Sequence, residues 1–174
     1  MISGMRTILL GCLAFATLHA QNNLTNAAVQ RYFNTIRTNL EASAEVMPAE
    51  KYSFRLTPGQ NTFAEWMNHS SDRNYRDCST LRGEPAPEAA KRLASLKEKA
   101  EVMQALKDSF AYCAAALDKM DDRKAGSSPE ISYAFLHIIV HNNEIYGNLV
   151  GYLRVNGIVP PSTAAVLKSQ GKTR

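Results

Sequence analysis

Thr62-Phe63-Ala64-Glu65-Trp66-Met67-Asn68-His69-Ser70-Ser71-Asp72-Arg73-Asn74-Tyr75 decides the fold. Thr62 and Glu65 stand three apart, the spacing of a capping box that opens a helix. Phe63, Trp66, Met67, Ser70, Asn74, Cys78 and Leu81 then recur at helical spacing, and Gly83-Glu84-Pro85 closes the run. The face they form is unusually polar. Buried Ser70 and Asn74 must find hydrogen-bond partners, so this helix is expected to border a wet cleft or face a site.

Three further helices surround it. Upstream, Val29, Phe33, Ile36, Leu40, Ala44 and Met47 make one apolar face, which Pro48 ends. Ala49 to Asn61 is then a long loop, with a turn at Pro58-Gly59. Downstream, a third helix is expected from near Pro87, where Leu93, Leu96, Ala100, Met103, Leu106, Phe110, Cys113, Leu117 and Met120 form a near-heptad stripe. Ser127 and Glu130 bracket Pro129 at the start of a fourth helix. Its inward positions are Ala134, Ile138, His141, Ile145, Asn148 and Tyr152. Gly157 is placed to end it in a left-handed cap, and Pro160-Pro161 to prevent its resumption. Four long helices and no convincing strand predict an all-α four-helix bundle, which periodicity alone leaves as a simple antiparallel one.

The 174 residues suit one domain. Residues 1–20 read as a signal peptide: Arg6 is the basic start, Ile8 to Leu18 is apolar, and Leu18-His19-Ala20 ends on a small residue. Leu9-Leu10-Gly11-Cys12 resembles a lipobox, but the apolar run barely precedes Cys12 and continues past it. The expected organisation is a signal peptide at 1–20, a bundle at 21–163 and a polar tail at 164–174. The expected location is periplasmic or secreted, with no stable membrane insertion after cleavage. The net charge of +4 is mild, with neither a basic stripe nor a nucleic-acid motif, so no nucleic-acid partner is expected. Cys78 and Cys113 would remain after cleavage. In an oxidising compartment they either pair or serve as two small core residues.

The three remaining histidines fall on the second and fourth helices. His137 and His141 are four apart and share a helix face, and His69 could join them from the facing helix. Neutral imidazole is a common metal ligand, although a His pair at this spacing is more often a surface or hydrogen-bonded pair.

The flanking residues add to this. Thr62 to Tyr75 resembles the second-helix motif of the DinB-like family. His141-Asn142-Asn143-Glu144-Ile145-Tyr146-Gly147-Asn148-Leu149, with Tyr152-Leu153-Arg154 and Gly157-Ile158-Val159-Pro160-Pro161-Ser162, is similar to its last-helix motif. Lys51-Tyr52-Ser53-Phe54-Arg55 and Thr57-Pro58-Gly59 resemble its opening loop. The resemblance covers most of residues 24–163. It implies an up-up-down-down order of helices, with the long first loop as a crossover. It also implies a divalent metal (zinc, nickel or iron) held by one histidine of the second helix and two of the last, four residues apart.

His69 and His141 match two of those positions, and the third falls on Ile145, which ligates nothing. Three outcomes follow. His137 takes over as third ligand; Glu144 or Asp72 supplies an oxygen; or the site is empty and Ile145 packs in its place. The resemblance further implies metal-dependent hydrolase or thiol-transferase activity, in which Asp72 or Glu144 would orient a ligand or act as base. The other hypothesis is a non-catalytic, metal-free bundle that binds a small molecule near Trp66, Tyr75, Tyr146 and Tyr152 or serves a structural role. A homodimer is plausible on the resemblance alone. The sequence does not choose between enzyme and binding protein.

Overall fold

A computed structural model describes residues 23–172, and the expected signal peptide lies outside them. The long helices are α1 (Leu24–Val46), α2 (Phe63–Arg82), α3 (Lys99–Leu117) and α5 (Pro129–Val155). A one-turn helix, α4 (Asp122–Ala125), lies between α3 and α5, and α6 (Pro161–Ser169) follows. No strand occurs among the described residues, and no helix of theirs is long and apolar enough to cross a membrane.

The helix ends follow local chemistry. Thr62 accepts from the Glu65 amide while the Glu65 carboxylate accepts from the Thr62 amide at 2.6 Å, so the expected capping box is complete. Gly83 ends α2 at φ +67°, and Gly157 follows α5 at φ +74°, a region where a Cβ is costly. Pro161 does not keep the chain unwound. It opens α6, because a first-turn residue has no use for its missing amide. No residue of α6 is buried.

The all-α bundle is as expected, but the order of helix directions is not. Asn26 Nδ2 and Gln30 Nε2 reach the carbonyls of Met120 and Leu117, whereas Lys99 Nζ reaches those of Glu45 and Met47. α1 and α3 are therefore antiparallel. Asn74 meets Ser109, and Cys78 meets Cys113, one turn further along both chains, so α2 and α3 run parallel. Trp66 meets Tyr152 and Asp77 meets His137, so α5 opposes α2. The order is up-down-down-up, not up-up-down-down. α1 and α2 both pack on α3 and α5 and so stand at opposite corners.

The physical reason lies in the first loop. Tyr52 donates its hydroxyl to Ala44 O, and its carbonyl accepts from the Ala64 amide. One residue thus ties the end of α1 to the start of α2, and the loop turns at one end of the bundle. The crossover is the second connection, residues 83–98, which returns along the bundle's length. It includes a 3-10 stretch, Glu88–Ser95, followed by extended Leu96. The third helix therefore begins at Lys99 rather than near Pro87. Leu93 and Leu96, three apart, imitate a helical face while belonging to the crossover.

Cys78 and Cys113 are joined by a disulfide with Cα atoms 5.2 Å apart, and both are fully buried. The apolar part of the core is led by Leu40, Met67, Leu106, Phe110, Ile138, Ile145 and Leu149.

Candidate functional site

Antiparallel packing of α2 on α5 sets His69 opposite His141. Nε2 of one lies 3.0 Å from Nε2 of the other, and the rings meet edge to face at 82°. The residues following each histidine fix this register. Ser70 Oγ donates to Asn142 Oδ1, and Asn142 Nδ2 donates to Asn74 Oδ1 at 2.7 Å and to Ile138 O at 2.8 Å. Asn74 Nδ2 continues to Ser109 Oγ on α3. All four side chains are buried. The polar inner face of α2 is thus a satisfied network inside the bundle, not the border of a wet cleft. Asn142 is its hub and escaped the inward pattern, which placed Asn148 there. Asn148 is only half-buried and caps back onto Glu144 O.

Both imidazoles of the pair are held below the ordinary histidine pKa. Burial is the first cause for each. For His141 the neighbouring His69 and His137 add to it, with Arg73 behind them, whereas Glu144 acts in the opposite sense. At neutral pH the pair is therefore uncharged and shares one proton: one Nε2 donates, the other accepts. Glu144 Oε2 lies 3.5 Å from His141 Nδ1, which favours the tautomer with the proton on Nδ1 and leaves His141 Nε2 as acceptor. Asp72 raises the His69 pKa but is itself bound to Arg76 at 2.8 Å.

His137 is brought alongside His141 but is not aimed with it. The two rings stack at 4.8 Å, 14° from parallel, and Tyr133 stacks on the other face of His137. Nearly parallel rings at that distance do not direct in-plane lone pairs at one ion. His137 Nδ1 also lies 2.7 Å from Asp77 Oδ2, close enough to be the donor of that bond. Arg73, 3.3 Å from Asp77 and 3.5 Å from His137 Nδ1, steadies the carboxylate. Asp77 was not singled out in the sequence, because its partner lies 60 residues away.

Ile145 is fully buried in the apolar core. Two imidazoles on a tetrahedral zinc, at bonds of about 2.0–2.1 Å, would sit about 3.3 Å apart. The observed 3.0 Å suits a direct N–H···N bond. Among the described residues, no group of three or more His, Cys, Asp or Glu side chains is arranged to hold a metal ion. The residues present therefore do not fit a three-imidazole centre.

Trp66 extends the site toward the loop. Its ring meets His69 edge-on at 6.0 Å, and its Nε1 donates to Tyr152 OH. That hydroxyl in turn binds Asn61 O and Gln60 Oε1. Tyr146, also expected near a ligand, donates instead to Ser162 Oγ at the start of α6.

A family model described as the DinB superfamily matches residues 32–144. That span contains all three histidines and stops one residue short of Ile145. No curated protein and no solved structure matches the chain.

Proposed function

The chain belongs to the DinB superfamily, and on that premise we propose that it is an exported, non-catalytic member. In this reading the metal-dependent hydrolase or transferase chemistry is lost, and a metal-free bundle remains for small-molecule binding or a structural role. One observation carries it: His69 and His141 bond directly to each other, and the position that the resemblance gives to a third imidazole is the buried, non-ligating Ile145. Export is supported by the signal-like residues 1–20 and by the disulfide, a bond characteristic of oxidising compartments.

A second reading is favoured by Glu144 beside His141 Nδ1, since a carboxylate behind a histidine is a common support for a ligand. Here His69 and His141 would hold zinc, nickel or iron with solvent or substrate completing the shell, at much lower affinity than three imidazoles give.

Metal content separates the two. Protein purified without a chelating tag is expected to carry well under one equivalent of zinc, nickel or iron and to melt identically with and without chelator. A stoichiometric ion that disappears in His69→Ala would overturn the metal-free reading in favour of the second.

A further inference from the structure

The crossover roofs a second site, on the side of α2 away from α5. It is held to the bundle by buried Leu93 and by Asn68 Nδ2, which donates to Leu96 O at 2.8 Å. Between it, α2 and α3 remains a cavity of about 430 Å³, within the range of small-molecule sites. Its apolar wall is Leu93, Leu96, Ala100 and Ala105, with the Tyr75 ring. No residue of α5 lines it.

The charged groups there are not committed to ion pairs among the described residues. Tyr75 is only 4 % exposed, and its hydroxyl, the part that reaches solvent, makes no hydrogen bond among the described residues. Burial, and then the negative charge of Asp108, hold its pKa up, and both side chains line the cavity. Asp108 accepts from Gln104 Nε2 and forms no ion pair among the described residues. Arg92 and Glu101, which also line the cavity, form no ion pair among the described residues. Asn68 adds a buried Oδ1 with no partner under the same strap. A guanidinium, two carboxylates and a hydroxyl thus surround an apolar wall, the three charged groups on exposed side chains at the mouth of the cavity.

We propose that this cavity binds a small zwitterion with an apolar side chain, of the α-amino acid class. Arg92 takes its carboxylate, Asp108 and Glu101 take its ammonium group, and the side chain lies against Leu93, Leu96 and Tyr75. Both charges of the ligand are used, so a molecule carrying one of them binds less well.

The purified protein is titrated with L-phenylalanine and L-leucine, and in parallel with phenethylamine and 3-phenylpropionate. Calorimetry gives affinity, and amide chemical shifts locate the site. One amino acid is expected to bind saturably, shifting amides of residues 89–108 and 75. Each single-charge comparator, and each of Arg92→Gln and Asp108→Asn, is expected to weaken binding about tenfold or more, the scale of one charge-assisted contact. Both substitutions are of exposed side chains, so the variants should melt like the parent. The proposal is overturned if neither amino acid binds saturably, if phenethylamine or 3-phenylpropionate binds as tightly, or if the shifts fall around His69 and His141.

Discussion

Ser70 Oγ donates to Asn142 Oδ1 across the α2–α5 interface at 2.5 Å, and each residue directly follows one histidine of the pair. The meeting of His69 and His141 is therefore set from inside the bundle. A one-residue slip of α5 along α2 would leave Ser70 Oγ and Asn74 Oδ1 buried without their partner on α5, a cost no surface contact offsets. Replacing Asn142 with Ala is expected to orphan two of these groups. At about 1–3 kcal/mol for each unsatisfied buried group, the loss should be about 3 kcal/mol, read as a lowered denaturant midpoint with an unchanged m-value. A loss below about 1 kcal/mol would show that the network does not set the register.

Ile145 occupies the position that the family resemblance assigns to a third imidazole. Ile145→His is expected to destabilise the protein in chelator by about 2–4 kcal/mol, because a core side chain is lost and a polar one buried. Zinc should restore much of this, since a ligand at a thousand times its Kd stabilises by about 4 kcal/mol. Thermal melts of parent and variant, with zinc and with chelator, give the answer. If zinc leaves the variant's melting point unmoved, the alignment of α5 with the family's last-helix motif is wrong.

The lowered pKa values of His69 and His141 imply a direction for stability against pH. Above the unfolded value of about 6.5, both states carry neutral imidazoles and the pair contributes no pH dependence. As the pH falls through that value, the unfolded chain takes up protons that the folded pair resists. Stability is therefore lost until the folded pKa values are reached. Denaturation midpoints should fall between pH 7.5 and 5.5, and the fall should be smaller in the His69→Gln, His141→Gln double variant, with His137 common to both. Imidazole resonances of the pair titrating at or above pH 6.5 would contradict this account.

What the sequence made legible was whatever short-range chemistry determines. The capping box at Thr62, the stop at Pro48 and the left-handed Gly157 each depend on neighbours within a few residues, and each stands where expected. Two failures share an opposite cause. Leu93 and Leu96 fall at helical spacing, and spacing cannot distinguish a helical face from a 3-10 stretch pressed on the core. The up-up order that the resemblance implies fails at α2, whose direction is set by Tyr52 binding both Ala44 O and the Ala64 amide, contacts that neither motif nor spacing encodes. The site divides in the same way. The pairing of His69 with His141 was visible through motif resemblance, whereas Asp77, which turns His137 away, and Asn142, which fixes the register, act through partners 60 or more residues distant.

The Cys78–Cys113 bond joins α2 and α3, parallel neighbours whose connection is the crossover. In the unfolded chain it closes a loop across a separation of 35 residues, and loop-closure entropy assigns such a bond about 4 kcal/mol. The Cys78→Ala, Cys113→Ala double variant is expected to lose about that much, plus the cost of any space left where two buried sulfurs were removed. Because both cysteines are fully buried, the native protein should show no reactive thiol from either and resist mild reductant until denaturant is added. Thiol counts before and after unfolding, with denaturation curves of parent and variant, test both points. Two reactive thiols in the native, oxidised protein would mean that the bond does not form, and the support it gives to export would go with it.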